Sequence, residues 1–550
     1  MIAGIFSLLL CGFAPQGDSA QVAEQFYRDK RWADVVSLWR SSAQPSALLD
    51  YYAGMSLARL SKPEEARQAL EAGLRKDPRD KRFATELAGL AFERKDFSAA
   101  KSFLGRALAL DPGDRYADDF LASIYFLEQN LEAALVYWNR IDKPHLEEIR
   151  MDPKPAVDPV LLDRAFAAAP ASVLKLRELR ATEASLDLTG IFPRYQLSLE
   201  PRDDNENFDL VFRSTARNGW GSTRTEGLVS MLRGAPFLTI YPEVYNLRCR
   251  TINVTSLVRF DPNKERVSAS LGAPVGGDPG RRLEIFFDGR RENWDFARTF
   301  HGADPPTDLR FQKFEGGAQI HSVAGDGWNW SSGLSLSDRR FARLPAADPY
   351  FSDGLLLKYV ARAGHPLLRM PEKRLTVDAS TAGEFGKLFA ANFGAFSKIT
   401  GAVNARWFPQ AQGDKYELNT GIRSGRIFGP VPLDELYILG LERDNDLPLG
   451  AHIGTHRGEK GSAPLGRTYL LWNTEADRTV YAGGFFKVRL GPFLDSGKIT
   501  DPSGIFGTDK WLWDAGGRLQ VRILAGVTVA LSYGRDLRGG RNAIYLTAVH

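Results

Sequence analysis

Residues 449–478 read LGAHIGTHRGEKGSAPLGRTYLLWNTEADR, and residues 491–499 read GPFLDSGKI. Three short patterns stand out in these two stretches. An Arg-Gly pair occupies positions 457–458, an Asn-x-Glu element occupies positions 473–475, and a Phe-x-Asp-x-Gly run occupies positions 493–497. The last two patterns place side chains at every second position, which is the period of a β-strand. The sequence therefore predicts strands here, preceded by a loop that carries the Arg-Gly pair.

The same period-2 pattern recurs through the C-terminal part of the chain. Turn signals such as the Gly-Gly pairs at 276–277 and 539–540 lie between the alternating segments. The pattern predicts an antiparallel β-barrel or sandwich over residues 218–550, and sixteen strands of the ~9–11 residues that cross a membrane would fit there. The clearest alternating segments are Arg282 to Asp288, Leu355 to Ala363, Arg374 to Ala379, Ser397 to Phe408, Tyr416 to Phe428 and Tyr469 to Glu475.

These patterns together resemble the outer-membrane assembly and secretion barrels of the BamA and TamA type, the bacterial surface antigen superfamily. In that family, a loop with an Arg-Gly pair folds back into the barrel. The resemblance implies that the Arg457-Gly458 loop enters the lumen and that Arg457 pairs with Asp495, with Glu475 as a second candidate. An arginine suits this role because its planar donors hold a carboxylate at two points.

A helical repeat precedes the barrel. Ala66, Ala100 and Ala134 are spaced by 34 residues, and so are Pro78 and Pro112. Small residues at a fixed interval let paired helices approach closely, and the spacing resembles that of the tetratricopeptide repeat. We assign residues 21–143 to such an array. Tetratricopeptide arrays bind peptides or scaffold complexes, and a purely structural spacer is the alternative.

Residues 144–217 predict a small αβ module with the order strand, helix, helix, strand, strand. His145 to Met151 predicts the first strand, Asp158-Pro159 opens a helix, and a second helix over Ser172 to Leu188 ends at Gly190. This order resembles the POTRA domain, which offers strand edges to unfolded clients. An ordinary αβ connector is the alternative.

Composition and the N-terminus indicate the compartment. The formal net charge is +4 over 550 residues, which gives no reason to expect a nucleic-acid partner. The two cysteines, Cys11 and Cys249, exclude a disulfide scaffold. The apolar run from Ile2 to Ala14 has the length of a secretory signal, so we assign residues 1–20 to a signal peptide and predict export.

No catalytic or cofactor motif accompanies these modules. The sequence contains no H-E-x-x-H run and no G-x-S-x-G elbow, so we expect neither an enzyme nor a cofactor. His452 and His456 are four residues apart, but they fall in a predicted loop without a nearby cysteine, and we predict no metal site.

The sequence favours an outer-membrane insertase or translocase that hands client proteins from periplasmic repeats and a POTRA-like edge to a barrel. Its expected partners are membrane lipid, outer-membrane or secreted client proteins, and a periplasmic protein at the repeats. Two alternatives stay open. One is an exopolysaccharide export porin with periplasmic tetratricopeptide repeats, and the other is a soluble carbohydrate-active β-protein.

Overall fold

The computed structural model describes residues 16–203, 207–325, 327–342, 350–390, 394–508, 510–523 and 527–549. The chain divides into two compact units, Met1–Lys143 and Pro144–His550, and the division coincides with the end of the predicted repeat array. The predicted signal peptide lies outside the described residues except for residues 16–20. In the described ranges, no helix combines the length and the apolar character needed to cross a bilayer.

The first unit is built from α-helices that pack as consecutive pairs, 47–59 with 63–76, 81–93 with 97–110 and 115–127 with 131–138. Aspartates cap several of them; for example, the Asp96 carboxylate accepts a hydrogen bond from the backbone N–H of Ala99 at 3.0 Å. The helices described are α1 (Gln16–Arg28), α2 (Trp32–Ser41), α3 (Ala47–Arg59), α4 (Pro63–Lys76), α5 (Lys81–Glu93), α6 (Phe97–Leu110), α7 (Arg115–Leu127) and α8 (Leu131–Trp138).

The residues that recur every 34 positions lie where these helices touch. Ala66, Ala100 and Ala134 are fully buried. A Cβ added to Gly54 would lie 2.5 Å from Cγ of Leu70 on the paired helix, which is closer than real Cβ atoms approach a neighbour. Small residues therefore set the close approach of each pair, as the repeat predicted.

Gly73 supplies a test of this close packing. In Gly73→Ala, the new methyl group would overlap the buried ring of Phe83, so we expect the repeat unit to lose about 1–3 kcal/mol of unfolding free energy. Gly89 on α5 is the matched control, because a Cβ there meets nothing within 4 Å. Gly89→Ala should gain roughly 0.5–1 kcal/mol from helix propensity. The measurement is urea unfolding of the full chain followed by helical circular dichroism at 222 nm. Equal effects of the two variants would contradict this packing.

The second unit begins with the αβ module, which has the predicted elements in sequence and one additional short strand between the two helices. Its sheet has the order β2-β1-β4-β3, in which β1 lies parallel to β4 and β4 antiparallel to β3. A parallel pair requires a crossover connection, and the two helices supply it. The elements are β1 (His145–Met151), α9 (Pro159–Ala165), β2 (Ser172–Val173), α10 (Leu176–Thr189), β3 (Arg194–Pro201) and β4 (Asn207–Thr215).

The second helix of the module begins later than the sequence predicts. Ser172 and Val173 pair with Leu146 and His145 as strand β2, so α10 starts at Leu176. Its C-terminus is where the sequence placed it, because Gly190 adopts φ 68° and ends the helix in the left-handed conformation.

A closed antiparallel barrel makes up the rest of the unit. The elements up to its longest loop are α11 (Arg224–Leu232), β5 (Thr239–Ile240), β6 (Glu243–Leu247), β7 (Ile252–Arg259), β8 (Lys264–Val275), β9 (Asp278–Trp294), β10 (Leu309–Val323), β11 (Asn329–Ala342), β12 (Gly354–Met370), β13 (Leu375–Phe389), β14 (Ala395–Trp407) and β15 (Tyr416–Phe428). The loop contains β16 (Tyr437–Ile438), β17 (Thr455–His456), β18 (Glu459–Lys460) and β19 (Leu465–Gly466), and the wall continues with β20 (Thr468–Ala482), β21 (Phe486–Thr500), β22 (Leu512–Ile523), β23 (Val527–Asp536) and β24 (Asn542–Val549).

The barrel sheet contains eighteen strand segments, against the sixteen strands predicted. Two features account for three of these segments, so the described wall has fifteen separate strands. First, β5 and β6 pair with β7 in a single register, Thr239 opposite Arg259 and Val244 opposite Val254, so they are two parts of one strand broken around Pro242. Second, β17 and β18 form a short hairpin within the long loop.

The outer surface of the barrel is apolar. On β12, Leu355, Leu357 and Tyr359 are 40%, 43% and 44% exposed, whereas Leu356 between them is 1% exposed. The exposed side chains of this strand are therefore large and apolar at alternate positions. Such a surface fits lipid rather than water.

The αβ module is docked on one end of the barrel, which we call the module end. The backbone carbonyl of Thr189, at the end of α10, accepts hydrogen bonds from Asn253 Nδ2 at 2.9 Å and from Arg282 Nη1 at 3.2 Å. The backbone N–H of Asp158 donates to the carbonyl of Cys249 in the β6–β7 turn at 2.7 Å. These bonds satisfy backbone groups at the contact and fix the module to the barrel wall.

Candidate functional site

Residues 429–467 connect β15 to β20, and we call this connection the lumen loop. Lys460 Nζ in the loop donates to Glu292 Oε1 on β9 at 2.6 Å. The backbone N–H of Gly450 donates to Asp495 Oδ2 on β21 at 2.9 Å. Because β9 and β21 are far apart in the strand order of the closed sheet, a loop that reaches both of them lies inside the barrel.

Carboxylates of the lumen loop pair with cations on one side of the wall. Such pairs are stable in a buried place only when both partners are present, since removing one partner leaves an uncompensated charge at a cost of about 3–5 kcal/mol. The contacts are Asp434 with Arg339 (3.0 Å), Glu435 with Lys358 (3.2 Å) and Lys398 (3.3 Å), Glu442 with Lys264 (2.8 Å), and Asp444 with Arg259 (2.7 Å).

The wall cations keep two of these loop carboxylates, Glu435 and Asp444, ionised. Burial by itself would raise the pKa of Glu435, but the charges of Lys358 and Lys398 outweigh it and hold that pKa well below its usual value. Burial also opposes ionisation of Asp444, and the hydrogen bond from Arg259 lowers the pKa of that carboxyl below its usual value. The loop is therefore anionic where it meets this side of the wall.

The opposite side of the wall presents a row of polar side chains, one from each of four neighbouring strands. The ladder places Asn473 opposite Asp495, Asp495 opposite Asp514, and Asp514 opposite Asp536. We call these four residues the acidic row. All three of its aspartates are buried, so this side of the lumen presents carboxyl groups to the loop, where the other side presents cations.

The loop backbone runs along the acidic row. Asn473 Nδ2 donates to the carbonyl of Pro448 at 3.0 Å, and the N–H of Ala451 donates to Asp514 Oδ2 at 2.6 Å. The approach is close because Gly450 has no side chain, and a Cβ there would overlap the ring of Phe493. Backbone donors of the loop therefore satisfy carboxylates that would otherwise be buried without partners.

Apolar side chains of the lumen loop close the barrel at the end away from the module, which we call the far end. These side chains form one buried cluster with residues at the far ends of the strands and in the connections between those strands. From the loop, Leu433, Leu436, Leu439, Leu449 and Leu465 contribute, and from the rest of the barrel Phe296, Phe311, Phe396, Ile499 and Phe506 are among the members. The members of this cluster are shielded from solvent.

The predicted Arg457-Gly458 pair forms the turn of the β17–β18 hairpin. Both residues have positive φ, 51° and 88°, as a two-residue hairpin turn requires. The Arg457 side chain is exposed. Gly458 faces Asn263, which lies in the turn between β7 and β8. The hairpin tip therefore lies near the β7–β8 turn and not beside β21.

The predicted pairing of Arg457 with Asp495 is not formed in the described part of the chain, and neither is a pairing with Glu475. Asp495 accepts hydrogen bonds from Gly450 N and from Asn473 Nδ2 (2.8 Å), and Glu475 pairs with Arg518 of β22. The physical reason is the course of the loop, which brings residues 448–452 to β21 and carries its hairpin to the other side of the lumen.

Sequence reasoning also missed His452. Its Nδ1 lies 2.9 Å from Asp514 Oδ2, whereas His456 lies apart from it, with Nε2 3.1 Å from Arg298 Nη2. The four-residue spacing of the two histidines was therefore no guide to a shared site. A signal for the acidic row was present, since the Asn-x-Glu and Phe-x-Asp-x-Gly patterns contain Asn473 and Asp495.

Comparison with known proteins gives separate matches for the two parts of the chain. A tetratricopeptide repeat family model matches residues 57–141. No curated protein matches the chain. The chain is similar in fold to the crystal structure of BamA from Haemophilus ducreyi lacking POTRA domains 1–3, with 11% identity, TM-score 0.44 and coverage of 74% of this chain and 84% of that one.

Two further solved structures are similar to parts of the chain. CdiB from Escherichia coli has 13% identity and TM-score 0.48, with coverage of 74% of this chain and 75% of that one. YrrB, a tetratricopeptide protein with an unusual peptide-binding site, has 16% identity and TM-score 0.21, with coverage of 23% of this chain and 66% of that one. The chain thus joins tetratricopeptide repeats to a closed β-barrel.

The ion pairs of the lumen loop give the second prediction. In Lys264→Met, Glu442 stays buried without its cation, so we expect the folded barrel to lose about 3–5 kcal/mol. Lys264→Met combined with Glu442→Leu should recover part of this loss. The measurement is the temperature at which the folded band disappears from SDS gels of the unboiled protein.

Arg457→Ala is the control for Lys264→Met. Because the Arg457 side chain is exposed, its removal should change stability by no more than about 0.5 kcal/mol. If Arg457→Ala lowered the transition temperature as much as Lys264→Met does, then the placement of the loop described above would be wrong.

Proposed function

We propose that the protein acts in the insertion or secretion of proteins at the outer membrane. The observation that carries the proposal is the combination of an αβ module with an open strand edge, fixed to the mouth of a barrel whose lumen is occupied by a loop. The module would receive an extended client segment, and the barrel wall would be the place where the client enters the membrane. No covalent step is needed.

Strand β3 is the edge that would receive the client. In the described residues, β3 pairs with β4 on one side and with no strand on the other. An open edge offers unpaired N–H and C=O groups to a further strand, which is the basis of β-augmentation. Unfolded outer-membrane proteins are suitable partners because their segments are extended and form strands.

The repeats would supply a second contact. The tetratricopeptide family model matches residues 57–141, and stacked repeats of this kind form extended concave surfaces that serve for binding. We infer that the repeat unit binds a client or a periplasmic partner protein. With the N-terminal modules in the periplasm, the module end of the barrel would face the periplasm and the far end would face outward.

The export-porin alternative is less well supported by the lumen. A sugar-exporting porin needs a continuous water-filled channel, whereas here the lumen loop and its apolar cluster fill the far end. The soluble alternative is disfavoured by the outer face of the barrel, because alternating exposed leucines and aromatic residues would be unfavourable in water.

Site-specific photo-crosslinking tests the proposed client edge. A photoreactive residue at Gln196, exposed on β3, should crosslink to a urea-unfolded outer-membrane protein diluted into buffer with the full-length protein. The same residue at Arg177, exposed on α10 of the same module, is the matched control. We expect strong adducts at position 196 and background at position 177. Equal yields at the two positions, or no adduct at 196, would contradict client capture at this edge.

A further inference from the structure

The acidic row brings buried carboxyl groups together without a lysine or arginine partner among the described residues. Asp495, Asp514 and Asp536 are 3%, 0% and 6% exposed. Across the described residues, no lysine or arginine lies within 4.0 Å of any of these carboxylates. The one basic side chain within that distance in the described residues is His452. Burying several carboxylates with so little positive charge is costly, so this region favours the binding of a cation.

Three of these side chains cluster around the imidazole ring of His452. His452 Nδ1 lies 2.9 Å from Asp514 Oδ2, and His452 Nε2 lies 3.9 Å from Asp536 Oδ2. One ligand atom from each of the three residues can be chosen so that all lie within 4.8 Å of one another. Ligands on a small divalent ion are separated by comparable distances, so a modest contraction would bring them to the ~2.0–2.2 Å bonds typical of zinc.

A buried oxygen in this cluster has no partner. Asp514 is fully buried, and its Oδ2 accepts from Ala451 N and contacts His452, but its Oδ1 has no hydrogen-bond partner in the described part of the chain. Asp536 leaves Oδ2 for a ligand, because its Oδ1 accepts from the N–H of Arg538 at 2.9 Å. An unsatisfied buried carboxylate oxygen is uncommon in folded proteins, and a bound ion would satisfy it.

We propose that His452, Asp514 and Asp536 form a binding site for a divalent transition-metal cation, with water completing the coordination. One imidazole nitrogen with two carboxylate oxygens is a donor set that suits zinc and similar ions, whereas calcium and magnesium prefer oxygen ligands alone. The bound ion offsets the charge of the acidic row.

The site joins three separate parts of the chain. His452 belongs to the lumen loop and Asp514 to β22, and Asp536 is the last residue of β23. A metal ion held by all three fastens the loop to two of the last three strands of the barrel. Metal binding therefore stabilises the closed position of the loop by mass action, because the site exists only when the loop is in place.

Zinc binding by the full-length protein tests the site directly. The protein is purified in detergent, treated with chelator, freed of the chelator, and titrated with ZnCl₂ in a calorimeter. We expect saturable binding of a single Zn²⁺ per chain and, with saturating Zn²⁺, a higher temperature for loss of the folded band on SDS gels. His452→Ala and Asp536→Asn should each weaken binding by at least about tenfold and remove the temperature shift.

His456→Ala is the matched control, since His456 lies in the same loop but outside the cluster. Its zinc affinity should equal that of the unchanged protein, and folding of each variant is checked by its mobility in unboiled samples. Absence of saturable binding, or equal binding by His452→Ala and the unchanged protein, would overturn the proposal. If Asp536→Asn fails to fold, His452→Ala still decides the test, because His452 lies in a loop and its substitution leaves the barrel strands unchanged.

Discussion

The structure of the barrel depends on the burial of charge in its lumen. The lumen loop places carboxylates such as Glu435 and Glu442 inside the barrel, where each would be strongly unfavourable alone, and the wall supplies a cation for each of them. Pairing of this kind contributes specificity more than stability, because the loop can satisfy its charges in only one position. These cations come from strands between β7 and β14, namely Arg259, Lys264, Arg339, Lys358 and Lys398.

The two sides of the lumen hold the loop in different ways. On one side the contacts are ion pairs, and on the other the backbone of residues 448–452 lies along the acidic row and donates to its carboxylates. The apolar cluster at the far end adds the burial that makes these polar contacts strong by excluding water. Loop, wall and cluster therefore form one unit, and a client pathway through the centre of the lumen would require all three to rearrange. A client that entered along the wall and the αβ module would require less rearrangement of these parts.

Much of the architecture could be predicted from the sequence because its signals are local or periodic. Ala66, Ala100 and Ala134 recur every 34 residues because each repeat makes the same helix–helix contact. The alternation of apolar and polar residues along a strand indicates which of its faces is apolar. The partner of Arg457 could not be predicted in this way. It depends on where a loop of nearly forty residues crosses a barrel, and that course is set by pairs distant in sequence, such as Lys264 with Glu442. His452 was missed for the same reason, since its partners lie on β22 and β23.

Conductance in planar lipid bilayers tests the central claim, that the lumen loop closes the barrel, most directly. The full-length protein is compared with a variant in which residues 430–466 are replaced by a short Gly-Ser linker, after both have been shown to fold by their mobility in unboiled samples. The account predicts that the unchanged protein is closed, with at most brief small openings, and that the variant produces large, long-lived conductance steps. Steps of equal size and duration in the unchanged protein would show that its lumen is open and would contradict the account.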